Sequence, residues 1–321
     1  MIKTLILIYL TRMKSLYNIS KKNSSTLQNF IGGKFFESKG KVCIKSINPA
    51  TQELLAKTPE TTKEEFNLAV ENSKQAFKVW RNVPLLTRQR YIVDFAKVVR
   101  ERQSDLAKLI SMEHGKVYSD ALGEVFRGLE VVDQACNIAP LYLGETLENV
   151  ANNTDNYSYR TPLGVTAGIC PFNFPAMIPC WMFPLSIVCG NTHILKPSEK
   201  VALSSQFLVD VLRDIGLPAG VVNMVHGGKQ QVESICHHKD IKAISFVGGN
   251  AAGQYIYETG CKNGKRVQSN MGAKNHCIVM DDADKEDALN AIVNASIGAA
   301  GQRCMALSVA IFVGKVRKNN I

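Results

Sequence analysis

The sequence predicts an α/β protein built on a doubly wound parallel sheet, followed by the beginning of a second α/β unit. Three observations carry that prediction. From Leu163 onward, short β-branched runs at 164–169, 192–195, 221–225 and 243–247 are each followed by a helical pattern. That alternation makes parallel sheets with crossover helices. Ahead of these runs, apolar residues recur at helical spacing over three segments. After His276 a strand, helix, strand order starts again. The 321 residues are 45% hydrophobic and 21% charged, the balance of a globular chain that can bury a large core.

In chain order, residues 1–25 are basic, rich in Ser and Asn, and free of acid. Lys3, Arg12, Lys14, Lys21, Lys22 and Lys34 all precede the first acidic residue, Glu37. Together with an apolar run at 5–10, this segment resembles a mitochondrial presequence, with a non-targeting tail as the plainer alternative. The run is too short to cross a bilayer, and Arg12 and Lys14 stand where a secretory cleavage site wants small neutral residues. Phe30 to Asn48 reads as β structure turning at Gly32-Gly33. A first helix is signalled by Phe66, Ala69, Val70, Phe77 and Trp80. A second, with Thr87 as its start, carries Ile92, Phe95, Ala96 and Val99, and a third carries Leu122, Val125, Phe126 and Leu129. Beyond the four strands, 277–280 reads as a strand, Asp284 as a helix cap, 288–299 as a helix and 308–313 as a strand. The expected division is a presequence-like or disordered segment at 1–27, a doubly wound domain with its helical layer at 28–270, and the start of a second domain at 271–321.

The formal charge of +10 is largely an N-terminal matter. Elsewhere Lys and Arg are interspersed with Asp and Glu, without the aromatic-interleaved basic stripe of nucleic-acid binding. Nine cysteines at irregular spacings include no CxxC pair and no His/Cys cluster at ligand spacing, which argues against zinc and a disulfide framework. Six dispersed histidines suggest no Cys-His pairing. Neither a metal site, a nucleic acid nor a membrane is expected as a partner.

Three segments carry chemistry. Pro171-Phe172-Asn173-Phe174-Pro175 and Lys196-Pro197-Ser198-Glu199 each follow an expected strand, where open α/β sheets place ligands. Asn173 offers an amide donor for an oxyanion, and Lys196 with Glu199 offers a donor and an acceptor for two ribose hydroxyls. A helix N-cap and a surface ion pair are the bland alternatives. Phe246-Val247-Gly248-Gly249 leads from a strand through a glycine turn into a helix whose N-terminal amides suit a pyrophosphate, although an ordinary strand-to-helix connection reads the same. Gly301-Gln302-Arg303-Cys304 sets a cysteine after a run of small residues and beside a guanidinium, an electropositive setting for a nucleophile.

PFNFP, KPSE, the FxGxxxxG turn and GQRC stand in the order and rough spacing of the aldehyde dehydrogenase superfamily, and the chain resembles that family from about Gln28 to Val313. PFNFPAMIP, NMGAKNH and GQRCMALS resemble its CoA-acylating methylmalonate-semialdehyde branch. The resemblance implies that 28–270 is the NAD-binding domain and 271–321 the beginning of the catalytic domain. It further implies that Cys304 attacks the aldehyde, that Asn173 and the Cys304 amide hold the oxyanion, and that hydride passes to NAD to leave a thioester. Where hydrolytic members carry a glutamate base, this chain has Asn270, which cannot accept a proton, so coenzyme A is the implied acyl acceptor.

Carried over residue by residue, the coenzyme contacts are the backbone at Cys170 and Phe172, then Lys196, Glu199, Lys200 and Gly249, the last standing where the branch more often has serine. Glu199 favours NAD over NADP by repelling a 2'-phosphate. Arg127 and Arg303 are the implied partners of the semialdehyde's carboxylate, although Arg127, one turn from Glu124 and Glu130, equally suits a helix-surface ion pair. The family implies homotetramers, a mitochondrial matrix location and release of propionyl-CoA or acetyl-CoA with carbon dioxide. Family members continue past this chain's end, so a non-catalytic shortened product and a hydrolytic dehydrogenase stand as the alternatives.

Overall fold

Strands β1 (Gln28–Ile31) and β2 (Lys34–Glu37) open the fold as a hairpin, closed by Gly32 at φ 60° and Gly33 at φ 80°. Two successive left-handed residues make the primed turn whose twist matches the strands, and glycine adopts them without steric cost. The computed structural model describes residues 26–314, so the presequence-like segment 1–25 and the basic tail 315–321 lie outside the described residues. Strands β3 (Val42–Ile47) and β4 (Leu54–Pro59) form a separate antiparallel pair, not a continuation of the first hairpin.

Helices α1 (Lys63–Trp80), α2 (Leu85–Glu101), α3 (Gln103–His114) and α4 (Tyr118–Cys136) follow. Helix α1 starts with a capping box, Thr62 accepting from the Glu65 amide while the Glu65 side chain accepts from the Thr62 amide. Helix α2 begins at Leu85 behind Pro84, without a side-chain cap, so Thr87 lies inside the helix and is not its start. Proline's fixed φ does the work expected of the threonine. On α4 the buried face is Ala121, Glu124, Val125, Gly128, Leu129 and Val132, whereas Phe126, expected in the stripe, is exposed.

A two-stranded hairpin of β5 (Thr146–Ala151) and β6 (Thr154–Tyr157), exposed along its length, precedes the sheet. Five parallel strands then alternate with helices: β7 (Val165–Ile169), α5 (Met177–Val188), β8 (Thr192–Lys196), α6 (Leu203–Asp214), β9 (Val222–Met224), α7 (Lys229–His237), β10 (Ile241–Val247), α8 (Asn250–Lys262) and β11 (Arg266–Asn270). The seven-stranded order is β11-β10-β7-β8-β9-β1-β2, with β1 and β2 added antiparallel at one edge. The chain builds outward from β7 to β9 and then returns to pair β10 on the other side of β7. That reversal opens a crevice at the strands' carboxyl ends, where doubly wound sheets bind ligands.

Every residue of β7 and β8 is buried, as covered parallel strands require. Val165, Ala167, Ile169 and Ile194 face one way, onto Phe66, Ala69 and Val70 of α1, Ile235 of α7 and Ile256 of α8. The opposite face carries α5 and α6, with α2, α3 and α4 packed over them through Phe95, Ile110, Leu129, Phe183 and Leu208. Gly168 of β7 has no room for more: a methyl there would sit 2.7 Å from His193 Nε2 and 3.0 Å from the Met182 sulfur.

After β11 the chain forms β12 (Asn275–Val279), α9 (Lys285–Ile297), a 3-10 turn at Gly298–Gly301, and β13 (Leu307–Phe312). Asp284 caps α9 by accepting from the Asp287 amide, as its sequence position suggests. Strands β12 and β13 pair in parallel as a sheet of their own, and no residue of α9 is buried.

Candidate active site

Asn173 lies in the loop from β7 to α5, and that loop is held by a buried ion pair which the sequence did not point out. Lys116, between α3 and α4, donates to Glu124 Oε2 at 2.6 Å and to the Asn173 backbone oxygen at 2.8 Å. The two side chains are 1% and 0% exposed. Glu124 Oε1 accepts from the amides of Ala176 at 2.9 Å and Met177 at 3.1 Å, so one carboxylate both pairs Lys116 and caps α5. The Lys116 ammonium also stands 4.4 Å over the Phe174 ring. Burial pulls the Lys116 ammonium below its ordinary value, with Glu124 opposing that shift.

The Asn173 side chain turns toward the cysteine segment, its Nδ2 donating to the Gln302 backbone oxygen at 2.8 Å. An amide nitrogen has two N–H groups, so one remains for a ligand oxygen. Ahead of Gln302 the chain makes three left-handed steps, Ala299 at φ 52°, Ala300 at φ 56° and Gly301 at φ 72°. For alanine each step costs about 1–2 kcal/mol, and together they turn the backbone sharply out of α9. Cys304 follows in an exposed turn. Asn275, at the start of β12, holds it from the other side: its Nδ2 donates to the Cys304 oxygen at 2.8 Å and to the Ala306 oxygen at 2.9 Å.

Arg303 reaches α4, where its guanidinium donates to Asp120 Oδ2 at 2.9 Å. It lies against Gly298 so closely that a methyl there would meet it at 2.8 Å. Arg127, the other expected carboxylate partner, is exposed on the same helix and pairs with neither Glu124 nor Glu130, Glu124 being committed to Lys116. Its guanidinium folds back beside Gly123, and Trp181 Nε1 donates to the Arg127 oxygen at 3.3 Å.

Among the residues expected to meet a coenzyme, Lys196 is buried at the end of β8, donating to the Pro197 oxygen at 2.9 Å and to Glu199 Oε2 at 3.3 Å. This loop is tied to the β3-β4 pair, because Thr58 donates to the Glu199 oxygen at 2.9 Å and Ser46 to the Lys200 oxygen at 2.8 Å. Cys170 is buried, its amide donating to the Lys196 oxygen at 3.0 Å, and burial pushes its thiol up to about 12. Gly249 caps α8 without any side-chain hydrogen bond, and the space around its α-carbon is open to 4 Å. Phe172 sits between His114, stacked at 6.4 Å between ring centres, and the Lys200 ammonium at 5.1 Å. Burial lowers His114 to about 4, so its ring is neutral at physiological pH. These three residues, with Ile44, Glu113 and Gln302, line a cavity of about 290 Å³.

The fold therefore brings Asn173, Cys304, Arg303 and the Phe172 loop into one neighbourhood, and sets Lys196, Glu199 and Gly249 at the carboxyl ends of β8 and β10. Lys116, Asp120, Glu124 and Asn275 were missed from sequence. Their signal was faint: Lys116 follows the Gly115 C-cap of α3, and Asp120 and Glu124 lie one helical turn apart.

Residues 35–320 match the aldehyde dehydrogenase family. Human mitochondrial acylating methylmalonate-semialdehyde/malonate-semialdehyde dehydrogenase is 52% identical over 304 residues, covering 94% of this chain and 57% of that protein. The Arabidopsis thaliana mitochondrial acylating methylmalonate-semialdehyde dehydrogenase is 55% identical over 289 residues, 90% of this chain and 48% of that protein. Among solved structures, methylmalonate-semialdehyde dehydrogenase from Oceanimonas doudoroffii superposes with a TM-score of 0.87 at 42% identity, over 90% of this chain and 59% of that one. A Sinorhizobium meliloti 1021 protein described as a methylmalonate-semialdehyde dehydrogenase complexed with NAD gives 0.88 at 42% identity, over 92% and 60%. The chain spans 57% of the human relative's length and 48% of the plant relative's. With the family match spanning residues 35–320 and these relatives 52% and 55% identical over nine-tenths of the chain or more, the chain belongs to the aldehyde dehydrogenase family.

Proposed function

We propose that this chain supplies the coenzyme site and the nucleophile of an NAD-dependent, CoA-acylating oxidation of methylmalonate or malonate semialdehyde, giving propionyl-CoA or acetyl-CoA with loss of carbon dioxide. The observation that carries the reading is the 2.8 Å hydrogen bond from Asn173 Nδ2 to the Gln302 oxygen, which seats the oxyanion donor beside the cysteine's loop. Residues 28–270 then act as the NAD-binding domain and 271–321 as the start of the catalytic domain.

The residues present fit NAD. Helix α8 begins at Gly249 with no side chain spent on its N-terminal amides, which leaves them for a pyrophosphate. Lys196 and Glu199 present one donor and one acceptor to a ribose, and Glu199 disfavours a 2'-phosphate. The backbone at Cys170 and Phe172 and the Lys200 ammonium complete the contacts. When bound, NAD supplies the hydride acceptor.

The Cys304 sulfur adds to the aldehyde carbon, and the carbonyl π electrons move onto oxygen. The free N–H of Asn173 and the Cys304 amide meet that charge. Loss of hydride from the same carbon restores the carbonyl as a thioester on Cys304. Asn270, at the end of β11, carries an amide and takes no proton from water, so the thiolate of coenzyme A displaces the cysteine sulfur. The carboxylate β to the new carbonyl, held until then by Arg127 and Arg303, leaves as carbon dioxide; the pair of the broken C–C bond passes into the thioester enolate, whose carbon then takes a proton from water. The relatives' mitochondrial names and the basic, acid-free residues 1–25 support a matrix location.

A second reading, nucleotide binding without turnover, is favoured by the absence of any buried residue in α9 and by the exposed Ile278, Ile311 and Phe312 beside it. Binding of NAD and formation of NADH are therefore measured separately on the 321-residue chain. Stoichiometric NADH without coenzyme A, and continued NADH formation with it, support the acylating reading. NAD binding alone supports the second, and turnover without coenzyme A defeats both.

A further inference from the structure

We propose that Asp120 is a specificity-determining residue of the Cys304 site: its carboxylate shares Arg303 with the substrate's carboxylate and so sets how strongly the nucleophile's loop draws in an anion. The proposal rests on the reading that Cys304 is the nucleophile and that Arg303 faces the semialdehyde's carboxylate.

Helix α4 presents Asp120 and Glu124 one turn apart, and the structure uses them differently. Glu124 is sealed in, neutralising Lys116 and capping α5, with no capacity left for a ligand. Asp120 remains at the surface of the site, where it meets a guanidinium 183 positions further along the chain. The Arg303 and Asp120 side chains are 26% and 34% exposed, so the pair is wet and contributes little to folding. Such a pair can loosen or be shared without disturbing the core. A guanidinium carries five N–H groups, and Asp120 occupies one through the terminal nitrogen Nη2, leaving others for a second carboxylate.

The charges explain why a resident carboxylate matters. Lys116 and Arg303 both reach the Asn173 and Cys304 loops, Lys116 through the Asn173 oxygen and Arg303 as the residue before Cys304, with its guanidinium on Asp120. Glu124 offsets Lys116, and Asp120 offsets Arg303. Each of these cations therefore has a resident carboxylate, and an incoming carboxylate competes with Asp120 for Arg303. Without Asp120 the site would attract anions more strongly and discriminate less among them.

The test reads the field at the sulfur directly and needs no turnover. The 321-residue chain is alkylated with iodoacetate and, in parallel, with iodoacetamide, and the rate at Cys304 is followed by peptide mass spectrometry. The anionic to neutral rate ratio reports attraction of a carboxylate, while general accessibility cancels. Cys261, exposed on α8, is the internal reference. D120N keeps an acceptor oxygen for Arg303 and removes the charge, so the ratio at Cys304 rises about twofold to threefold, the effect of one unit charge across roughly 10 Å of wet surface. The rise shrinks as salt is added. D120E restores the parent ratio, and R303Q lowers it. If R303Q lowers the ratio while D120N leaves it unchanged, the role of Asp120 is overturned and the reading of Arg303 stands. If R303Q leaves it unchanged, Arg303 does not face the incoming anion, and the reading falls together with the proposal built on it.

Discussion

Around Asn173 the polar partners are buried: Lys116, Glu124 and the first amides of α5 close on one another beneath Phe174. Around Cys304 they are exposed or half-exposed: Asn275, Gln302 and the Arg303–Asp120 pair hold a turn that no packed helix covers. The Asn173 side is thus part of the core, whereas the Cys304 side hangs on individual hydrogen bonds. Changes on the first side are felt by the whole fold, and changes on the second are felt locally.

The largest effect follows from breaking the buried pair. Glu124→Ala leaves the Lys116 ammonium buried with no counter-charge and only the Asn173 oxygen as acceptor, and strips the Ala176 and Met177 amides of their carboxylate. Removing one member of a buried ion pair costs about 3–5 kcal/mol. The urea unfolding midpoint should fall accordingly, and the double variant K116M/E124Q should recover part of the loss by removing the orphaned charge. A loss of less than about 1 kcal/mol in Glu124→Ala, the size of an exposed pair, would show that this side is no more built-in than the other.

A smaller, local effect is expected from Asn275→Ala. It deletes two hydrogen bonds to the backbone around Cys304, each contributing about 1 kcal/mol or less in net terms. Because α9 has no buried residue, the global midpoint should stay close to the parent's. Tryptic cleavage after Arg303 should instead become several-fold faster as the turn opens more often. An unchanged cleavage rate would mean that Asn275 does not hold the turn.

The same contrast governs what the sequence disclosed. The parallel strands were legible because burial on both faces leaves short, largely apolar or β-branched runs such as Val165–Ile169, and a capping aspartate before α9 is a local signal. Four motifs in order located Asn173, Lys196, Gly249 and Cys304. The anchors were not legible, since each acts through a contact distant in sequence: Lys116 reaches Asn173 over 57 positions, and Arg303 reaches Asp120 over 183. Thr87 and Phe126 were misread for a related reason. Spacing alone does not say whether Pro84 already starts the helix or which flank of α4 meets α5.

The finest comparison lies within the proposed coenzyme crevice, between two adjacent glycines. A methyl on Gly248 would strike the Phe246 ring at 2.4 Å, whereas one on Gly249 meets nothing within 4 Å. Gly249 has φ −73°, a conformation open to any residue, so Gly249→Ser carries no backbone strain. Serine at a helix N-cap accepts from the first-turn amides, which matches or slightly improves on glycine by a few tenths of a kcal/mol. Its hydroxyl would also stand beside the proposed pyrophosphate position. The expected result is an unfolding midpoint unchanged or marginally raised, and NAD bound about twofold to fivefold more tightly in a fluorescence titration, within the net value of one hydrogen bond. Unchanged NAD binding with unchanged stability would place the pyrophosphate elsewhere than at the start of α8, because only a ligand held there would respond to this oxygen.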